Sequence, residues 1–407
     1  MHILDTLKER GFIAQITFEE DLYKALEREP MTYYVGFDPT ANSLHVGHYI
    51  PIMAMAHLQR AGHRPIALCG GGTAMVGDPS GKTDLRQMLT KETIAANIAC
   101  LQEQLSRFLD FSEGKAIMVN NADWLLKLNY VDFLRDIGAL FSVNRMLTAE
   151  CYKRRMETGL TFLEFNYMLM QSYDFLTLFK EYGCRLQLGG DDQWSNILSG
   201  ADLIRRKERE DAFALTCKLI MTHDGNKMGK TEAGALWLDP NRTSPYDFYQ
   251  YWRNVGDPDV ERFLGLLTFL PMDEVRRLGS LKDEKINEAK RVLAFEITKL
   301  IHGEEEAGKA ADAAQALFAG VGGMGNVPTF EVNAAILAED NRLTSILALC
   351  GLCSSRGEAR KMVQSGAVLM GEEKVTDIEI RVEASMIGMD GLLLRKGKKN
   401  YCRLILK

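Results

Sequence analysis

Short apolar segments that run into glycine-rich turns recur through the first 190 residues, and this pattern narrows the fold most. Thr32-Tyr33-Tyr34-Val35-Gly36-Phe37 reads as a strand. Residues 46–61 read as a helix with Ile50, Met53, Ala54 and Leu58 at helical spacing. Pro51 falls near its first turn, where a missing N–H costs little. Residues 65–69 form a second strand and meet Gly70, Gly71 and Gly72. A helix over 91–110, a strand over 115–119 and a strand over 184–188 leading to Gly189 and Gly190 continue the alternation. The fold class that follows is α/β, a Rossmann-like domain with a mostly parallel sheet and helices on both faces. In such sheets ligands bind beyond the carboxyl ends of the strands, where these glycine turns lie.

The pattern changes along the chain. From about residue 245 the strands stop, and 245–318 read as an α-helical domain. Residues 319–328 hold four glycines and a proline, a linker composition. The expected organisation is a Rossmann-like domain over 1–222 and a mobile loop with its connection over 223–244. The helical domain 245–318, a linker 319–340 and an α+β module 341–407 follow. At 46% apolar and 26% charged residues, the 407-residue chain is globular rather than disordered. No apolar run nears the ~20 residues of a membrane span. The first five residues lack the features of a signal peptide. Of eight cysteines only Cys350 and Cys353 have paired spacing. No second pair completes a zinc site, so they read as small buried thiols, and the usage fits a reducing cytoplasm.

The net charge is −6, which taken whole opposes nucleic-acid binding. Its distribution reverses that. Residues 341–407 carry twelve Lys/Arg against seven Asp/Glu, a net of +5, leaving −11 for the rest. The C-terminal module alone has the electrostatic footprint of a nucleic-acid contact.

Four motifs carry candidate chemistry. The first is Asp38-Pro39-Thr40 through His45-Val46-Gly47-His48, between a strand and a helix. Two histidines three apart can bind a metal, but a third ligand at usable spacing is missing; the segment can also simply cap the helix. A third reading is a nucleoside triphosphate site. Gly47 lets a flat group approach, the helix start offers N–H groups to phosphate, and the imidazoles add donors. The second motif, Gly77-Asp78-Pro79-Ser80-Gly81-Lys82-Thr83, is one residue short of a P-loop, with Val76 where the first glycine belongs. It reads as an active-site loop with Asp78 and Lys82, and Arg86 follows. The third, Lys227-Met228-Gly229-Lys230-Thr231, lies among turn residues. Alone it is a solvated charged loop; beside a nucleotide site its lysines act as mobile cations. The fourth is a polar set among aromatics. Tyr34 lies on the first strand, and Tyr167, Gln171 and Asp174 share one helix face. Gln187, Gly190, Asp192 and Gln193 follow the 184–188 strand. Buried polar groups of this kind need partners, which a polar ligand supplies.

In this order and spacing the motifs resemble those of bacterial-type tyrosyl-tRNA synthetases, which are class I aminoacyl-tRNA synthetases. His45-Val46-Gly47-His48 is similar to the His-Ile-Gly-His signature, and Lys227–Thr231 to the Lys-Met-Ser-Lys-Ser signature. Phe37–Thr40, Gly77–Lys82 and the Gly-Gly-x-Asp-Gln-Trp at 189–194 belong to the same resemblance. Residues 341–407, with Ser354–Val363 followed by Gly366-Ala367-Val368, resemble the S4 RNA-binding module.

The resemblance implies ATP-dependent activation of L-tyrosine to tyrosyl-adenylate, then transfer to the 3′ end of tRNA(Tyr). Tyr34 and Asp174 would bind the phenol, and Asp78, Tyr167, Gln171 and Thr73 the ammonium group; Gln187 is counted with this tyrosine set. Thr40 and His45 would stabilise the triphosphate. Gly47 and His48 would meet adenine and ribose, with Gly36, Asp38, Gly190 and Met228 also in the ATP set. Asp192 would bind ribose, and Gln193 would lie by the reacting carboxylate. Lys82, Arg86, Lys227, Lys230 and Thr231 would grip pyrophosphate. Mg2+ would accompany ATP, with no structural metal. The family implies a homodimer; the helical stretch around 123–150, with Trp124, Leu125, Leu128, Phe133 and Leu134, is a candidate interface, although periodicity alone does not separate an interface from a core. Asp191 stands where serine is usual and adds charge beside the site; Pro51 stands at a variable position. The nearest rival is the tryptophanyl relative, against which Tyr34 with Asp174 favours a phenol. An inactive RNA-binding relative and a small-metabolite nucleotidyltransferase are weaker rivals, opposed by the intact signatures and the S4-like tail.

Overall fold

Six strands build the sheet that the alternating pattern calls for. They are β1 (Ile13–Ile16), β2 (Thr32–Phe37), β3 (Arg64–Cys69), β4 (Ile117–Asn120), β5 (Cys184–Gly190) and β6 (Phe213–Cys217), in the order β1-β6-β5-β2-β3-β4. Strands β2 to β6 run parallel, and β1 closes one edge antiparallel to β6. The chain leaves β2 toward β3 and β4, then returns to β5 on the other side. This reversal opens a crevice at the carboxyl ends of β2 and β5. The computed structural model describes all residues except 79–88, 226–227, 232–233, 320–327, 334–335, 338–339, 372, 389–390 and 398–399, and the side chains of 154, 230, 231, 234 and 316–319. Two units result, Met1–Ala307 and Gly308–Lys407; their division falls inside helix Glu304–Ala319.

The elements differ from expectation mainly at their ends. The helix expected over 46–61 starts as a 3-10 turn, Val46–His48, before the α-helix Tyr49–Arg60. Nine of the latter's twelve residues are buried. The helix is therefore apolar nearly all round, as an element packed on two sides must be. Helix Lys91–Leu105 stops short of 110. Two of its buried amides hold the 38–48 segment: Asn97 donates to the Pro39 carbonyl, and Gln104 accepts the Leu44 N–H. Strand β4 starts at Ile117 because the Lys115 and Ala116 N–H groups are spent on a turn, bonding Ser112 and Asp110. Strands β1 and β6 escaped the sequence reading. β6 is five fully buried residues and β1 is half-buried throughout, so neither shows period-2 alternation.

Within 123–150 the chain forms short helices, among them Ala122–Leu125 and Tyr130–Asp136. Leu125 is buried, Trp124 and Phe133 pack against the core, and the exposed large apolar residues are Leu126, Tyr130, Val131, Leu134 and Val143. Beyond two short strands, β7 (Lys230–Thr231) and β8 (Gly234–Ala235), helices Pro245–Arg253, Val260–Leu267, Met272–Gly279 and Ile286–His302 follow as expected. Ser244 caps the first of these, and Pro245 sits just inside it.

The second unit is α+β. Its sheet has the order β11-β10-β12-β13-β9, from β9 (Thr329–Val332), β10 (Val368–Met370), β11 (Glu373–Val375), β12 (Leu392–Lys396) and β13 (Asn400–Leu406). The segment expected as linker thus supplies a strand: β9 pairs parallel to β13. Four residues are too few for periodicity to reveal. Helices Leu343–Leu349 and Arg356–Gln364 cover one face, packing Ile346, Leu347, Ala359 and Val363 on Val368, Leu394 and Leu404. Cys353 is buried in this core and Cys350 packs against it.

Arg10 joins the N-terminal helix to the helical region. Its buried guanidinium donates to the carbonyls of Gly265, Thr268 and Leu270. Arg10→Ala leaves these acceptors short of a partner, and the unfolding free energy of the first unit should fall by about 2–4 kcal/mol. The check is a lower midpoint of urea unfolding at unchanged slope.

Candidate active site

The carboxyl ends of β2, β3 and β5 face one cavity of about 510 Å³. All of the expected site residues whose side chains are described line it: Tyr34, Asp38, Thr40, His45, His48, Thr73, Asp78, Tyr167, Gln171, Asp174, Gln187, Asp192, Gln193 and Met228, with Gly36, Gly47 and Gly190. Lys82, Arg86 and Lys227 lie outside the described residues, as do Pro79–Thr83 of the second motif. For Lys230 and Thr231 the backbone alone is described, as β7, paired with Gly234 and Ala235.

The deep end is built around a buried carboxylate. Helix Tyr167–Tyr182 carries Tyr167, Gln171 and Asp174 on the face turned to the sheet. Asp174 accepts from Trp124 Nε1 at 2.7 Å and from Asn121 Nδ2 at 2.9 Å. Burial, opposed by these two bonds and helped by Asp38, pushes its carboxyl up to about 7. Tyr34 lies 1% exposed beside it. Burial, then the Asp174 charge, push its phenol well above the ordinary tyrosine value, so it stays a neutral O–H. Among the described residues the Tyr34 hydroxyl and the Gln171 and Gln187 carbonyl oxygens have no hydrogen-bond partner. Three unsatisfied polar atoms in one cavity are costly, and a polar ligand that bonds them removes the cost.

Sequence reasoning missed Asn121 and left Trp124 open between an interface and a core. Asn121 follows β4 at its carboxyl end, the one signal that could have found it. It also links Asp174 to Thr73, donating to Thr73 Oγ1 at 3.0 Å. Thr73 donates to Asp38 Oδ1 at 2.9 Å, and Tyr167 OH to Asp38 Oδ2 at 3.2 Å. Asp38, expected with ATP, therefore turns its carboxylate toward the residues expected around the ammonium group. Gly70 makes this possible, since a Cβ there would lie 2.0 Å from Asp38 Oδ1. Asp78 accepts from Gln193 Nε2 at 2.7 Å.

At the other end the two histidines are oriented by backbone. His45 Nδ1 accepts the Gly47 N–H at 3.0 Å, and His48 Nδ1 accepts the His45 N–H at 3.2 Å. An acceptor Nδ1 places the ring proton of each neutral imidazole on Nε2, which makes Nε2–H a donor. Gly47 has a further reason to be glycine: a Cβ would lie 2.7 Å from the His45 ring. Asp191, expected to add charge beside the site, is held by its neighbours on the sheet. Its carboxylate turns to the sheet, accepting from Gln15 of β1 at 2.7 Å and Thr216 of β6 at 2.9 Å. Pro51 lines the cavity from the first turn of helix Tyr49–Arg60.

The raised carboxyl of Asp174 has a sign that can be checked. The unfolded chain releases this proton near ~3.9, the native state near about 7. Between those values the native state binds the extra proton, so the group's contribution to stability is full below the lower value and is lost as pH rises through the upper one. Asp174→Asn removes the titration. In thermal melts across this window, the variant should gain on the parent as pH rises.

The sequence model described as tRNA synthetases class I (W and Y) matches residues 26–319, and that of the tyrosine–tRNA ligase SYY-like C-terminal domain matches 321–404. The tyrosine–tRNA ligase of Caldanaerobacter subterraneus subsp. tengcongensis is 60% identical over 407 residues, with both chains fully covered. That of Clostridium botulinum strain Loch Maree is equally similar over the same span. A C-terminally truncated mitochondrial tyrosyl-tRNA synthetase of Aspergillus nidulans superposes with a TM-score of 0.70 at 31% identity, covering 78% of this chain and 94% of its own. A full-length match of this kind, on the cavity described above, places the chain: it belongs to the tyrosine–tRNA ligase family of class I tRNA synthetases.

Proposed function

We propose that the cavity condenses L-tyrosine with ATP, and that the chain passes the tyrosyl group to the 3′ end of tRNA(Tyr). The observation that carries the choice of amino acid is the buried Tyr34 hydroxyl without a partner beside the Asp174 carboxylate. A phenol O–H fills that gap, donating to one and accepting from the other. An indole N–H donates but cannot accept. The ammonium group takes Asp78, Tyr167 and Gln171, and Thr73 fixes Asp38 behind them.

The tyrosine carboxylate attacks the α-phosphorus of ATP; the α–β phosphoanhydride bond breaks and pyrophosphate leaves. The nucleophile is already an anion, so catalysis needs positioning and charge stabilisation rather than a protein base. His45 and Thr40 meet the phosphates, with Gly47, His48, Gly36, Gly190 and Asp192 around adenosine and Gln193 near the carboxylate. Lys82, Arg86, Lys227, Lys230 and Thr231 hold the departing pyrophosphate. A ribose hydroxyl of the tRNA end then attacks the carbonyl of the adenylate, releasing AMP. Mg2+ would accompany ATP and neutralise part of its phosphate charge.

The basic residues of 341–407 meet the tRNA backbone. The organisation is a catalytic region over 1–222, its signature loop over 223–244, a helical domain on the anticodon side over 245–318, and the C-terminal module. Two copies pair through the stretch around 123–150, where Tyr130, Val131, Leu134 and Val143 are exposed. All eight cysteines are free thiols, which supports a cytoplasmic setting.

Amino-acid-dependent pyrophosphate exchange tests the activity. Exchange with tyrosine and not with tryptophan or phenylalanine is the expected result; equal exchange with tryptophan overturns the choice. For His45→Ala, adenylate formation should slow by about 10²-fold or more while tyrosine affinity stays within twofold. Equal loss in both sinks the role given to His45.

A further inference from the structure

We propose that Tyr251 is a positioning residue that holds the lysine loop against the histidine segment through a relay of three hydrogen bonds. The proposal rests on the reading that Lys230 grips pyrophosphate. Tyr251 lies on helix Pro245–Arg253, outside the set of residues that line the cavity. Its hydroxyl accepts the Gly229 N–H at 2.9 Å and donates to Met228 Sδ at 3.1 Å. The Gly229 carbonyl in turn accepts the Leu236 N–H at 2.7 Å, and the Leu236 carbonyl accepts the Val46 N–H at 3.0 Å. One line of bonds therefore runs from Tyr251 through Gly229 and Leu236 to Val46, inside His45-Val46-Gly47-His48.

Two features make the position exact enough to matter. Gly229 has φ +79°, and a Cβ there would lie 3.0 Å from the Val46 Cβ, so the loop backbone rests directly on the histidine segment. The start of the loop is anchored as well. The buried Asp259 accepts from the His223 backbone N–H at 3.0 Å and from Arg262 at 2.6 Å. With its entry and its contact with Val46 fixed, the Gly229 amide is the point where a single side chain sets the loop between Lys227 and Lys230. A hydroxyl is needed there, because only a group that accepts and donates at once holds both Gly229 and Met228.

The test is a double-mutant cycle in the full-length protein, following single-turnover adenylate formation at saturating substrates. Tyr251→Phe keeps the ring, which packs on Trp252, and removes the hydroxyl alone. It should slow adenylate formation by about 3–10-fold with tyrosine affinity unchanged, and lower the melting temperature only by what the loss of a neutral hydrogen bond costs. Lys230→Ala should slow the step more, and adding Tyr251→Phe to it should cost nothing further. The proposal is overturned if Tyr251→Phe is as fast as the parent, or if its effect persists in full beside Lys230→Ala. It is also overturned if tyrosine affinity falls in step with the rate. If Lys230→Ala alone leaves the rate unchanged, the pyrophosphate reading itself fails, and the relay's role falls with it.

Discussion

Ionising a carboxyl inside the protein is expensive, and the first unit is arranged around one such group. Asp174 sits fully buried at the carboxyl end of the sheet, with two donors on it and its proton held to about 7. The donors come from the turn after β4, so the placement of that turn depends on the same carboxylate. From Asn121 the bonds pass through Thr73 to Asp38 and Tyr167. The network satisfies its own members and leaves Tyr34, Gln171 and Gln187 with unmet polar atoms facing the cavity. Specificity follows from that imbalance, because a ligand is favoured by what the site cannot bond for itself.

The second half of the chemistry is organised by backbone. The Nδ1 atoms of His45 and His48 are occupied by amide donors, which turns both rings into Nε2–H donors. The Val46 amide is bonded to Leu236 beyond the lysine loop, and Leu238 bonds back to the Leu44 carbonyl. The His45–His48 signature is thus joined edge to edge with the chain that follows the lysine loop, in an antiparallel bridge between His45 and Trp237. Charge follows the same economy at a larger scale. The acidic body leaves cations at chosen places, while the module 341–407 keeps a net of +5 for a polyanion.

Much of this was legible in the sequence for stated reasons. The parallel sheet announced itself because strand, glycine turn and helix alternate with different periods. The helix face of Tyr167, Gln171 and Asp174 followed from 3.6-residue spacing. Strands β1, β6 and β9 were not legible: they are short and lack alternation, and it is their pairing that makes them strands. Trp124 was legible only as one apolar residue of the 123–150 stretch, open between interface and core. Its N–H finds Asp174 some 50 residues away, which no local pattern encodes.

Sequence by itself determined the fold class, the family and many of the described residues that meet at the cavity. Those depend on composition, period and motif order, all of which are local. Tertiary structure decided the direction in which the polar groups point. Asp191 carries a charge in the sequence, yet its carboxylate is spent on Gln15 and Thr216 of neighbouring strands. Asp38, read from its motif alone, gives no sign that its carboxylate accepts from Thr73 and from Tyr167 129 residues away. Tyr251 reads as one more aromatic of a helix until its hydroxyl is found on Gly229. A hydrogen bond is directional and reaches about 3 Å, so its partner is fixed only when distant segments are packed together.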